Sequence, residues 1–357
     1  MPSLEPTLTP DAITANVTLR WKRVLGFDEE PHSDDFFELG GTSLKALQLL
    51  SEIENDLGLS VPLMVFALQP TLQGLLSALN GSARSDSTSL VPMQLLGDRL
   101  PFFFIHAEFG HVLFAQKMAV ALGPDQPMYG LQSRGLDGRS EPLTTMQEMA
   151  AYYVSAMKSI QPEGPYRLGG YCMGALLALE MTNQLQGAGE EVSHLAVFST
   201  DASWMNVAGF NTQLDYHLRE MGNTGIGGVS RYIWWRILFR LHRGYSRAVR
   251  ILHRVYAWRG KALPARLRYV YIADLNYRSG WDFQPQPFRG TISYFQGEAD
   301  RRRDPRPFWG NLATGGIETH AVTGEMAAIF DSPHVDTLAA KLSESLTRPA
   351  EANGRIQ

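Results

Sequence analysis

Two kinds of periodicity divide the 357-residue chain. Up to about residue 80, apolar positions recur every three or four residues, the spacing of amphipathic helices. It predicts helices over 11–25, over 43–58 with Gly58 as the stop, and over 71–80 after Pro70. The polar stretch "GSARSDSTS" (81–89) reads as a flexible linker. Beyond it, short apolar runs alternate with helical patterns. Strands are expected at 101–107, 127–132, 166–172, 194–201, 291–298 and 317–324, and the intervening helices include 111–122, 144–160 and a closing one from His334. That alternation implies a mostly parallel sheet covered on both faces. Right-handed crossovers then bring the C-terminal ends of the strands to one edge, where sites collect.

Residues 203–285 interrupt the alternation with a helix-rich, aromatic, basic stretch, and an insertion there forms a cap or lid. A basic helix lying on a membrane or nucleic acid is the rival reading. The helical spacing of the aromatic positions favours the lid, which needs an apolar underside. The expected organisation is a small helical domain over 1–80, the linker 81–89, an α/β domain over 90–347 and a flexible tail over 348–357.

Charge sharpens the division. Residues 1–80 carry 4 Lys/Arg against 11 Asp/Glu, and the remainder 28 against 25. Residues 231–270 hold eleven basic residues and no acidic one. An acidic module that docks on a more basic one follows. No apolar run reaches membrane-spanning length, and the first residues lack the basic and apolar regions of a signal peptide. The single cysteine excludes an internal disulfide and a cysteine-based zinc site, and fits a reducing compartment. A cytoplasmic protein with no metal, membrane or nucleic-acid partner is expected.

Two motifs carry chemistry. In "DDFFELGGTSLKALQLL" (34–50), Gly40 and Gly41 let the backbone turn into a helix start, and Ser43 stands at the N-terminus, where the dipole favours an anion. The same residues allow Ser43 to be a plain N-cap. Phe36, Phe37, Leu39, Gly40, Gly41, Thr42, Ser43 and Leu44 closely resemble the phosphopantetheine attachment site of peptidyl carrier domains from nonribosomal peptide synthetases. The resemblance spans residues 11–80. It implies a four-helix-bundle carrier whose Ser43 bears a covalent 4'-phosphopantetheine arm, with a phosphopantetheinyl transferase and upstream synthetase modules as partners and an acyl or peptidyl thioester as substrate.

The second motif is Gly170-Tyr171-Cys172-Met173-Gly174, between a strand and a helix. Its spacing is that of the sharp nucleophile turn of α/β-hydrolases, where glycines permit the close approach and the next N–H, from Met173, faces the developing oxyanion. Residues 90–345 resemble the type I thioesterase domains that follow carrier domains, with "GPYRLGGYCMGALLALEM" matching that family's elbow and "PFFFIHAEFGHVLF" its first-strand loop. By position the resemblance assigns the second oxyanion N–H to Glu108, where the family usually has a small residue, and the triad acid to Asp201. The catalytic histidine slot holds Met326, which cannot accept a proton. His106 and His111, on the oxyanion loop, are the remaining candidate bases, and His334 reads as part of the last helix.

A serine without a base is nearly inert, whereas a thiol at a helix N-terminus is expected to ionise more readily. Loading of Cys172 by thioester exchange therefore needs no histidine, while attack by water does. The expectation is release by cyclisation or transfer rather than hydrolysis. A docking or holding module without turnover, and an engineered acyl-enzyme trap, are the alternatives.

Overall fold

The computed structural model describes residues 9–26, 34–59, 61, 65–66, 69–80, 89–138, 140–200, 244–298 and 304–348. The first helix, α1 (Pro10–Leu25), starts where Thr9 accepts the Ala12 N–H (3.3 Å) and Pro10 occupies the first turn. It stops at Gly26, whose φ of 84° suits a glycine. Helix α2 (Ser43–Leu57) is capped by Thr42 and ends at Gly58, the predicted stop. Helix α3 (Leu72–Asn80) completes this part, and residues 65–66 are helical too. The three helices close on a core in which the rings of Trp21, Phe36 and Phe66 meet edge to face, 5.1–6.0 Å apart.

The second part is a seven-stranded sheet in the order β1-β3-β2-β4-β5-β6-β7. Its strands are β1 (Leu90–Gln94), β2 (Phe102–Ile105), β3 (Met128–Leu131), β4 (Tyr166–Tyr171), β5 (Val192–Phe198), β6 (Ile292–Gln296) and β7 (Ile317–Ala321). Every neighbouring pair is parallel except β1 with β3. Alternation splits the apolar run of β2 between two cores. Phe102 and Phe104 join Met118, Leu338 and Leu342 on one face, and Phe103 and Ile105 join Met149, Leu176 and Leu179 on the other. The covering helices are α4 (Gln116–Ala121), α5 (Met146–Lys158), α6 (Met173–Gly187) and α9 (His334–Thr347).

Five strands lie within the predicted runs, and β5 starts two residues before its own, at Val192. Edge strand β1 was not expected, because Pro92 cannot donate to a ladder and argues against a strand interior. Of the lid, residues 203–243 lie outside the described residues, as do residues 201 and 202 before it. The described remainder comprises a helix over 244–258, here α7, and α8 (Ala265–Asp282). Helix α8 packs against α2, where Arg268 pairs with Glu54 at 2.7 Å. Arg268 is buried, and its guanidinium also donates to the carbonyls of Leu263 and Leu136.

Candidate active site

The C-terminal ends of β2, β4, β5, β6 and β7 share one edge of the sheet, and Glu108, Cys172, Met173 and Met326 lie on the turns that follow β2, β4 and β7. Cys172 sits between β4 and α6 with φ 55° and ψ −123°. Only tight packing sustains such backbone in a residue with a Cβ. A Cβ on Gly170 would overlap the Gly174 carbonyl, and one on Gly174 would lie 2.5 Å from the carbonyl oxygens of Ile105 and His106. The two glycines therefore let the turn close on itself and on the end of β2.

The Cys172 N–H donates to Thr200 Oγ1 at 2.8 Å, and that hydroxyl in turn donates to the Phe198 carbonyl. Tyr294 Oη and Trp309 Nε1 both donate to the Thr200 carbonyl, at 3.2 and 3.1 Å. Sequence reasoning missed Thr200, although it directly precedes Asp201. Asp201 itself lies outside the described residues.

Among the described residues, three non-glycines have positive φ: Cys172, Ser199 at 37° and Met326 at 48°. All three follow strands at this edge, where strained backbone collects at working sites. The Met326 loop is tied in by Glu298 N–H on the Gly324 carbonyl (2.7 Å), and the turns after β5 and β6 are joined by Gly297 N–H on Ser199 Oγ (2.8 Å). Met326 is 65% exposed. His334 opens α9 with its ring against Gly324, in keeping with its reading as a residue of that helix.

The thiol departs from expectation. A helix N-terminus was expected to lower its pKa, and the Met173 N–H on the sulfur does act that way. Desolvation outweighs it, and the charge of the Glu108 carboxylate adds to the rise. Cys172 is thus held well above the usual thiol range, as a thiol rather than a preformed thiolate. Glu108 Oε2 is buried and has no hydrogen-bond partner. The Glu108 carbonyl is held from the lid by Asn276 Nδ2 at 2.9 Å, and the same Nδ2 donates to Ser133 Oγ.

His106 is fully buried and has no free nitrogen. Its Nδ1 lies 2.6 Å from the Ala107 carbonyl, and its Nε2 lies 2.7 Å from Tyr153 Oη and 3.0 Å from Ser133 Oγ. Since a carbonyl only accepts, Nδ1 carries the proton and Nε2 accepts from the hydroxyls. Burial lowers its pKa to about 4. His111 is likewise pushed down to about 4 by burial, between the rings of Phe109, Phe114 and Tyr269, and its Nδ1 has no partner. Both histidines stay neutral above mildly acidic pH.

At the carrier, Thr42 performs the capping: its Oγ1 accepts the Lys45 N–H at 3.2 Å, and Ser43 is the first helical residue. Gly40 has φ 81°, and a Cβ on Gly41 would overlap Phe36. A helix start with Lys45 one turn in and no acidic side chain in its first turn fits a phosphodiester. Among the described residues no group of His, Cys, Asp and Glu could hold a metal ion, and no helix is long and apolar enough to cross a membrane.

A strained strand-to-helix turn at the C-terminal edge of a mostly parallel, helix-covered sheet defines an α/β-hydrolase-type domain. Residues 101–226 match the family model described as thioesterase domain, and residues 16–79 the one described as phosphopantetheine attachment site. The chain is 31% identical over 309 residues to malpibaldin synthetase of Mortierella alpina, covering 85% of this chain and 5% of that protein. It is 39% identical over 267 residues to the dimodular nonribosomal peptide synthase of Bacillus subtilis strain 168, covering 74% and 11% respectively. The chain thus spans only a small part of these relatives. A solved four-domain nonribosomal peptide synthetase bound to AMP and glycine shares the fold, with a TM-score of 0.56 at 20% identity, over 98% of this chain and 27% of that one. The chain therefore carries a carrier domain of the kind that bears covalent 4'-phosphopantetheine, followed by a thioesterase domain, and the relatives that it resembles are nonribosomal peptide synthetases.

Proposed function

We propose that this didomain releases the product of a peptide synthetase, with Ser43 as the attachment point of the arm and Cys172 as the nucleophile that receives the acyl group. The observation that carries this reading is the elbow itself: Cys172 at φ 55° on the strand-to-helix turn, its amide held by Thr200 and its thiol facing the oxyanion loop. When attached, the phosphopantetheine arm presents the acyl group as a thioester. Lys45 and the amide end of α2 would hold the phosphodiester, and the Arg268–Glu54 pair holds the carrier helix against the lid. The sulfur of Cys172 attacks the carbonyl, and the N–H groups of Met173 and Glu108 receive the developing oxyanion. Thioester exchange is close to energetically neutral, so loading is easy, and release follows by cyclisation or transfer to another nucleophile. Met326 leaves Asp201 no histidine to orient, which disfavours hydrolysis through a standard triad. The upstream modules and a phosphopantetheinyl transferase are the partners.

The test loads Ser43 enzymatically with a labelled acyl-phosphopantetheine and follows intact mass. Label passing to Cys172 and then leaving is the expected result. Label that never leaves Ser43 overturns the reading in favour of a docking or holding module. Label that stops on Cys172 and departs only in Met326→His identifies a disabled triad.

A further inference from the structure

With Met326 in the histidine slot and His106 fully engaged, the proton of Cys172 needs another acceptor. We propose that Glu108 is that acceptor, so that the site works as a Cys172–Glu108 dyad. The inference rests on Cys172 being the nucleophile.

The fold brings the two residues together. Strands β2 and β4 are parallel neighbours, with Ile105 beside Gly170, so the turns after them emerge side by side. Gly174 then lets the elbow close onto the carbonyls of Ile105 and His106. Glu108 follows three residues after β2, and its backbone is clamped from the lid by Asn276. Its carboxylate acts on the thiol electrostatically, and its Oε2 is buried with no hydrogen-bond partner. A buried carboxylate oxygen without a partner is costly, and a proton-transfer role explains why one is held there.

The chemistry balances. As the sulfur of Cys172 bonds to the acyl carbon, its proton passes to Glu108. When the carbon–sulfur bond to the leaving thiol breaks, Glu108 returns the proton to that thiol. In release, Glu108 takes a proton from the incoming hydroxyl, amine or water. It delivers that proton to the sulfur of Cys172 as the acyl–enzyme bond breaks. The net change is transfer of the acyl group from one thiol to the new nucleophile. A base acting this way does not require a preformed thiolate, which agrees with the raised pKa of Cys172. It also supplies water attack with a base that the vacant histidine slot lacks.

The chain has one cysteine, so labelling reads Cys172 alone. Two measurements on the full chain are compared between wild type and Glu108→Gln. The first is the pH profile of iodoacetamide alkylation. The second is the lifetime of acetyl-Cys172, formed with p-nitrophenyl acetate and followed by intact mass. Loss of the carboxylate should move the alkylation profile to lower pH while lengthening the acetyl-enzyme lifetime at least about 10²-fold. Glu108→Asp should recover part of the release rate. Equal lifetimes in wild type and Glu108→Gln overturn the assignment. So does a Glu108→Gln protein in which alkylation and release both slow, because that marks a structural role, or in which both accelerate, because that marks a merely repulsive charge. Cys172→Ala releasing the carrier-borne acyl group at the wild-type rate overturns the nucleophile reading itself. A dead Cys172→Ala beside a Glu108→Gln that releases normally overturns the dyad alone.

Discussion

The amide of Cys172 is held by the side chain of Thr200, across 2.8 Å between the ends of β4 and β5. Thr200 is 2% exposed, and its own carbonyl is fixed by Tyr294 and Trp309. The strained elbow is therefore propped by a hydroxyl from the neighbouring strand. Thr200→Val keeps the shape and leaves the Cys172 N–H unpaired, at about 1–3 kcal/mol of stability. Acylation of Cys172 should slow about tenfold as the elbow relaxes. Thr200→Ser should retain both properties. Urea denaturation and stopped-flow acylation check the two effects, and a Thr200→Val protein equal to wild type in both would remove Thr200 from the site's support.

The Arg268–Glu54 pair makes the two partners unequal. Arg268 is 5% exposed and donates to two backbone carbonyls besides Glu54, so removing Glu54 leaves the guanidinium mostly satisfied. Glu54→Ala is expected to cost less than about 1 kcal/mol of stability. It should slow acyl transfer from the carrier severalfold while acylation by free p-nitrophenyl acetate stays unchanged. Arg268→Ala strands the Leu136 and Leu263 carbonyls and should cost about 2–4 kcal/mol. Thermal unfolding separates the variants, and equal losses would mean that the pair acts only as a surface charge contact.

The sheet could be read from the sequence because a parallel strand buried on both faces appears as a short apolar run, as in "FFFI" of β2. β1 escaped because Pro92 is tolerated only on an edge, and edge position is a property of the sheet rather than of the segment. At the site, Cys172 was readable from the glycines two positions to either side. The placement of the Glu108 turn beside the Cys172 turn was not, because it depends on which strands are neighbours. The available signal was a glutamate where the thioesterase resemblance has a small residue. The histidines misled in the opposite sense, since proximity in sequence could not reveal that both nitrogens of His106 are engaged.

Buried histidines make the fold acid-sensitive. His106 and His111 are lowered to about 4, and His194 to about 3, from an ordinary 6.5, chiefly by burial. A lowered folded-state pKa means that the unfolded chain binds more protons below pH 6.5, so stability is fully present above that value. It is lost as the pH falls from 6.5 toward 4, each histidine contributing on the order of 3 kcal/mol. The urea midpoint should therefore drop between pH 7.5 and pH 5. His111 sits among aromatic rings with Nδ1 unpartnered, so His111→Leu should hold the pH 7.5 midpoint and flatten the dependence. A slope unchanged by that substitution would place the acid sensitivity elsewhere.

Met326→His separates an active dyad from a disabled triad. Met326 is 65% exposed and heads a short 3-10 turn, Met326–Phe330, so its side chain fills no core space. Its replacement should change stability by less than about 0.5 kcal/mol, which leaves activity as a clean readout. The loop around the φ 48° of Met326 is tied by Glu298 N–H on the Gly324 carbonyl and Ala328 N–H on the Glu325 carbonyl, so histidine inherits the same loop. If Glu108 already takes the proton from Cys172, an added imidazole is redundant. Release from acetyl-Cys172 should then change by less than about tenfold, well below the roughly 10²–10⁴ that a needed general base contributes. A rise of that larger size in Met326→His would show that the site lacks a working base, and the dyad would be withdrawn in favour of a triad missing its histidine.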